Sequence, residues 1–261
     1  MLKKLARHEF IALFGWPVIA SILSLVLNAE IYLSLFLFFG VPAVYLSYKH
    51  PKLIQKSLFF SVLFSVPAAF LMDYVMEYTG GWAIGRMELP PIWFLHYVSF
   101  LQIVWLILFT YLIVIYYEVF FDRSVSKVIY PKTKILFLMG LGVFAFLLSL
   151  HFFDPGLLYI DHFYFKIGIV AVLLPLVLFL LKRPSLWRKF LKVGAYFFFF
   201  TFIYEITALR LGQWSFPATD QFIGHVTILG YSFPIEEVIF WMMLCAMSTL
   251  AYYEYFDDDG K

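Results

Sequence analysis

The chain has 261 residues, of which 63% are hydrophobic, 22% aromatic and only 14% charged, and its formal net charge is +2. That composition excludes a soluble domain with a charged surface and a disordered chain, and it gives no electrostatic footprint for a nucleic-acid partner. The single cysteine, Cys245, excludes a disulfide framework and a cysteine metal cluster.

In chain order, long uncharged runs cover residues 10–29, 31–48, 57–72, 135–150, 167–181 and 238–253, and further apolar spans fit 92–117 and 193 to beyond Glu205. About 20 mostly apolar residues cross the hydrocarbon as a helix, with some tolerance at the ends. The sequence therefore predicts an all-α integral membrane protein of about eight transmembrane helices. The first run lacks a small-residue cleavage site and is interrupted by Trp16-Pro17, so it reads as the first span and not as a removed signal. With eight spans and an inner N-terminus, every Lys and Arg except Arg86, Lys166 and Arg210 falls on the inner side. The basic clusters at 49–56, 123–134 and 182–192 are then topological signals, and both termini are expected in the cytoplasm, most simply at a prokaryotic plasma membrane.

The chain repeats itself. Pro42, Val44, Lys49, Pro51, Leu53, Lys56 and Leu58 recur as Pro175, Val177, Lys182, Pro184, Leu186, Lys189 and Leu191 in one register. Asp73 and Trp82 recur as Glu205 and Trp214, Gly80 as Gly212, and Tyr116-Tyr117-Glu118 as Tyr252-Tyr253-Glu254. This divides the chain into residues 1–130 and 131–261, each of four spans. An even number makes the two units parallel, with a shared site expected at their interface.

The most costly residues are Glu236 and Glu237, which follow Pro234 at the mouth of the last span. A carboxylate in the bilayer costs roughly 2.5–3.5 kcal/mol or more, so such residues pair, line cavities or work. Two acids this close in an apolar site can divide into a proton donor and a proton acceptor. The alternative is acidic capping of a helix N-terminus, which Pro234 in the first turn would suit. Counting helical rise places Asp73 about 25 Å beyond Lys56 and Glu205 about 20 Å beyond Lys192. All four acids thus approach the outer side of the membrane. For Asp73 and Glu205 the alternative is an interfacial ion pair with Arg86 and Arg210. Trp82, Trp214, Phe240 and Trp241 add aromatic faces able to stabilise a cation, although a membrane-interface belt uses the same residues. No metal-ligand histidine spacing, phosphate loop or dinucleotide fingerprint occurs, so neither metal nor cofactor is expected.

Asp73-x8-Trp82, its repeat Glu205-x6-Gly212-x-Trp214, and Gly230-x3-Pro234-Ile235-Glu236-Glu237-x2-Phe240 resemble the lycopene cyclase domain family. This is the membrane-embedded, flavin-independent type, found as tandem repeats in archaea, as split subunits in some bacteria and fused to phytoene synthase in fungi. The resemblance implies an isomerising cyclisation of a lipophilic polyene, lycopene or a related carotenoid, held within membrane lipid. A carboxylic acid protonates the terminal double bond, the next double bond attacks the cation, and a base removes a ring proton. It places the acid and base on Glu236 and Glu237, with Glu205 and Asp73 in support and Trp82, Trp214, Pro234, Phe240 and Trp241 against the substrate. Family members often carry Pro-x-Glu-Glu in both halves. Here Val98-Ser99-Phe100-Leu101-Gln102 stands in that place without an acid, so one complete site is expected.

Other classes share some of these features. A membrane protease with a Glu-Glu pair needs an arginine and paired histidines, and the residues after Glu237 supply neither. A retinal photoreceptor needs a lysine in mid-span, and 238–253 has none. A carotenoid hydratase starts from the same protonated alkene and lets water trap the cation. A non-catalytic isoprenoid binder or transporter also fits parallel repeats with intramembrane acids.

Overall fold

A computed structural model describes residues 2–85, 92–122 and 133–256. Arg86, the partner considered for Asp73, lies outside these residues, as do the basic side chains of 123–132 and Lys261. The chain is a helical bundle: α1 (Leu2–Val26), α2 (Ile31–Lys49), α3 (Pro51–Tyr78), α4 (Phe100–Asp122), α5 (Thr133–Phe153), α6 (Phe163–Lys182), α7 (Pro184–Arg210) and α8 (237–256). The first seven are long and apolar enough to cross a membrane. Helix α8 is of similar length but carries Glu237 and Glu254 near its ends. Outward-facing positions are openly apolar, as at Phe137, Leu138, Val170, Leu178 and Leu181, while the core between helices is filled by buried aromatics such as Phe38, Phe39, Tyr116, Phe197 and Phe200.

Proline punctuates the bundle twice in the same way. Pro42 and Pro175 each follow a π turn (Phe36–Gly40 and Gly168–Leu173), where the altered ladder tolerates a residue that donates no hydrogen bond. Pro51 and Pro184 then force the preceding residue out of the helical region. His50 sits at φ −128°, ψ 59° and Arg183 at φ −131°, ψ 61°, so α2 turns into α3 as α6 turns into α7.

Helix contacts are reciprocal. Helix α1 packs on α7 and α5 packs on α3, α2 packs on α4 and α6 on α8, and α4 meets α8. Each of the first helices, α1 and α5, therefore rests on the far half of the chain. At the lysine end of the bundle Lys56 Nζ lies 2.7 Å from Glu118, Tyr253 donates its hydroxyl to Glu118, and Tyr117 donates to Glu254. These crossed tyrosine bonds tie α4 to α8 and keep buried charge hydrogen-bonded, the condition under which it is tolerated.

At the opposite end, two-stranded ribbons cover the bundle. Strands β2 (Trp93–Phe94) and β3 (Val98–Ser99) form one hairpin, β5 (His225–Ile228) and β6 (Tyr231–Pro234) another. Between the halves β1 (Ala83–Ile84) pairs antiparallel with β4 (Trp214–Ser215), Ala83 opposite Ser215 and Ile84 opposite Trp214. Both strands follow a helix C-terminus closed by a glycine, Gly80 at φ +68° and Gly212 at φ +65°, which only glycine adopts without strain. The ribbon is tight: a Cβ on Gly85 would stand 1.9 Å from the Gly212 carbonyl oxygen.

Candidate functional site

A cavity of about 110 Å³ lies where α3 and α7 end and α4 and α8 begin, beneath the β1–β4 ribbon. The glycine turns build its edge. Each reverses the chain after a helix C-cap, so a tryptophan nine residues beyond an acid returns beside it. Trp82 Nε1 donates to Asp73 Oδ1 at 3.3 Å, and Trp214 Nε1 donates to Glu205 Oε1 at 2.8 Å. Asp73 and Glu205 are 1% and 5% exposed, and both line the cavity.

The lining comes from matched positions of the two halves. Ala69, Met72, Asp73, Trp82 and Ile84 face the same space as Thr201, Tyr204, Glu205, Trp214 and Phe216, each 132 residues later. Trp105, Leu106 and Phe109 match Trp241, Met242 and Cys245, each 136 residues later. At the start of α4 and α8 the match runs at 135: the Phe100 N–H bonds the Ile92 carbonyl at 2.8 Å, as the Ile235 N–H bonds that of Gly224 at 3.0 Å. In that register Gln102 stands where the second half has Glu237, and Ser99 stands where it has Pro234. The extra residue of α8 is absorbed in a π segment, Glu237–Leu244, of a kind frequent at functional sites.

These differences set the polar geometry. The Ser99 N–H donates to Asp73 Oδ2 at 2.5 Å, and the Gln102 side chain is a further partner of that carboxyl. Pro234 has no N–H to give, so Glu205 has no such restraint. Glu237 accepts the Tyr164 hydroxyl. Tyr164 is fixed by its ring, which lies 5.3 Å from Trp241 at 24° and 5.8 Å from Trp82 at 89°, and its first-turn place on α6 brings it to the cavity. Glu205 and Glu237 are close enough to feel one another's charge.

Of the residues singled out in the sequence, Asp73, Glu205, Glu237, Trp82, Trp214 and Trp241 converge on the cavity. Glu236, Pro234 and Phe240 do not line it. Successive helical residues point about 100° apart, so the two glutamates diverge. Glu236 is wholly buried, and its Oε1 accepts the Ile223 N–H at 2.7 Å, fastening the loop before β5 to the start of α8. Pro234 is paired with His225 in the hairpin. Phe240 packs into a notch at Gly168, where a Cβ would lie 2.3 Å from its ring. Glu205 bonds Trp214, and no ion pair with Arg210 occurs among the described residues. Among the described residues no group of His, Cys, Asp and Glu is arranged to hold a metal.

Tyr164 and Gln102 were not singled out in the sequence. Gln102 is recoverable by counting in the register of Ser99 and Pro234. Tyr164 carries no local signal, because its contact with Glu237 joins helices 73 residues apart in sequence.

Together the parts make an apolar, aromatic-walled chamber with three carboxyl groups. It can bind a ring-sized hydrocarbon group, move a proton at its surface and face a transient cation with indole rings. The chain matches no protein-family model, no curated protein and no solved structure.

Proposed function

We propose that this chamber is the active site of a membrane isomerase of the lycopene cyclase type, which closes a ring at one end of a polyene by acid–base catalysis. The observation that carries the reading is the convergence of Asp73, Glu205 and Glu237 with four indoles, Trp82, Trp105, Trp214 and Trp241, on one largely apolar cavity. Such a site supplies what the reaction requires: a proton donor, a proton acceptor, and aromatic faces worth about 2 kcal/mol each to a desolvated cation. A cavity of about 110 Å³ suits a group near the size of the benzene that fills an engineered cavity of about 150 Å³. One polyene end occupies it, and the remaining chain lies beyond it among helices and lipid. The largely apolar wall leaves few anchors for water, which favours loss of a proton over hydration.

The whole-chain architecture follows from the same reading. The recurring π turns, prolines and reciprocal helix contacts support two parallel four-helix units at 1–130 and 131–261, with α8 as the eighth crossing. The basic residues at the Lys56 end support cytoplasmic termini and a chamber toward the outer leaflet. The first half is then no idle copy, since it forms half of the chamber wall.

Expression in a lycopene-accumulating bacterial host, followed by pigment chromatography and mass spectrometry, tests the proposal. Ring-containing isomers of unchanged mass are expected. Hydroxylated acyclic products would identify a hydratase, and unaltered lycopene would favour a binder, a transporter or another substrate.

A further inference from the structure

Three carboxyl groups line the chamber, and their oxygens are not equally free. Asp73 has both oxygens engaged: Oδ1 accepts from Trp82 and Oδ2 from the Ser99 backbone. Glu205 has only Oε1 engaged, by Trp214, and Glu237 only Oε2, by Tyr164. Among the described residues, each of these two thus keeps one oxygen without a donor. Glu236 has an uncommitted oxygen as well, but it is wholly buried and off the cavity. A carboxyl that exchanges a proton with a ligand needs a free oxygen facing it, within hydrogen-bond reach.

From this geometry, and resting on the cyclase reading above, we infer that the acid–base pair is Glu205 with Glu237, not the adjacent Glu236 and Glu237. Asp73 is a fixed acceptor that sets Trp82 and the start of α4, and Glu236 is a positioning residue that anchors the loop at Ile223. One member of the pair gives its proton to the terminal alkene, whose π electrons form the new C–H bond and leave a tertiary cation. The next double bond supplies the electrons of the ring C–C bond. The other member then takes a ring proton, and that C–H pair becomes the ring double bond. One proton enters and one leaves, so the product is an isomer. The proton returns between the two neighbouring carboxyls before the next turnover.

The test measures ring formation in membranes from the lycopene-accumulating host, normalised to the amount of tagged protein in the membrane fraction. Glu205→Gln and Glu237→Gln are each expected to lower the rate about 100-fold or more, the usual contribution of a general acid or base. Glu236→Gln is expected to stay within about tenfold per molecule and to keep the pH profile of the unaltered protein, whereas Asp73→Asn, in the chamber wall, lowers the rate without removing a limb of that profile. If Glu236→Gln does not accumulate, the pH profiles of Glu205→Gln and Asp73→Asn decide, since only the first is expected to lose a limb. Glu205→Gln turning over within tenfold of the unaltered protein would overturn the pair. So would Glu236→Gln present at normal level but 100-fold slower with a lost limb in its pH profile. Failure of the unaltered protein to form rings would instead remove the cyclase reading itself, so the two failures are distinguishable.

Discussion

The indole N–H groups beside the acids do not have equal weight. Trp214 is the only donor to Glu205 among the described residues, whereas Asp73 keeps the Ser99 N–H when Trp82 is changed. A hydrogen bond to a charged group is worth about 1.5–3 kcal/mol, or roughly 10- to 150-fold in rate where it acts on the transition state. Trp214→Phe is therefore expected to slow ring formation by at least about tenfold, and Trp82→Phe by clearly less, in the same membrane assay. Outside the bundle, Tyr159 donates its hydroxyl to Asp220, and this bond holds the Asp220 carboxyl below its usual range and raises the Tyr159 phenol. A lowered carboxyl stabilises above its unfolded pKa, near 4, and loses that contribution as pH falls through its folded value. A raised phenol contributes below its unfolded pKa, near 10, and loses its part as pH rises through the folded value. Limited proteolysis of the loop between β4 and β5 should speed up at both extremes, and Asp220→Asn should abolish the acid-side change.

At the scale of elements, α6 and α8 act as one unit through their π segments. Gly168 accepts Phe240 into its surface, one turn beyond Tyr164 on α6 and three residues beyond Glu237 on α8. That seat holds the two helices at the distance where Tyr164 reaches Glu237. Gly168→Ala drives a methyl group into the ring and, as overpacking, is expected to cost about 1–3 kcal/mol. The expected result is a lower melting temperature in detergent and a slower enzyme, with both partly restored by Phe240→Leu. The sequence showed the repeated acid–glycine–tryptophan spacing at the ends of α3 and α7, but not that each tryptophan returns to bond its acid, which the glycine turn decides. The resemblance set Phe240 against the substrate, whereas the structure seats it at Gly168, off the cavity lining. Its pairing of Glu236 with Glu237 rested on adjacency in the chain, which on a helix separates side chains. Tyr164 was illegible, since nothing local fixes which helix α6 will meet.

At the scale of the molecule, neither half is complete. Helices α1 and α5 each lie on the opposite half, and the chamber takes matched walls from both. The spaced prolines and lysines led to the expectation of two units with a shared site at their interface, but which side chains would face that site was not legible, because a repeat fixes order and not the faces on which two copies meet. Residues 1–130 and 131–261 produced from separate genes in one cell are expected to reassemble and form rings. Either piece alone should yield none and accumulate poorly, as measured by membrane-fraction immunoblot and pigment analysis.

The π segment of α8 also gives this chain a countable difference between its two halves. Between the hairpin and the tyrosine pair, α8 has one residue more than α4, and the surplus falls immediately after Glu237. Removing one residue from 238–240 would bring α8 to its counterpart's length and replace the π segment by the plain α-helix of α4, changing the turn that sets Glu237 against Tyr164. The edited protein should insert and hold its Tyr253–Glu118 and Tyr117–Glu254 bonds, yet form no rings. A difference of one residue would then separate a catalyst from a pigment-binding scaffold.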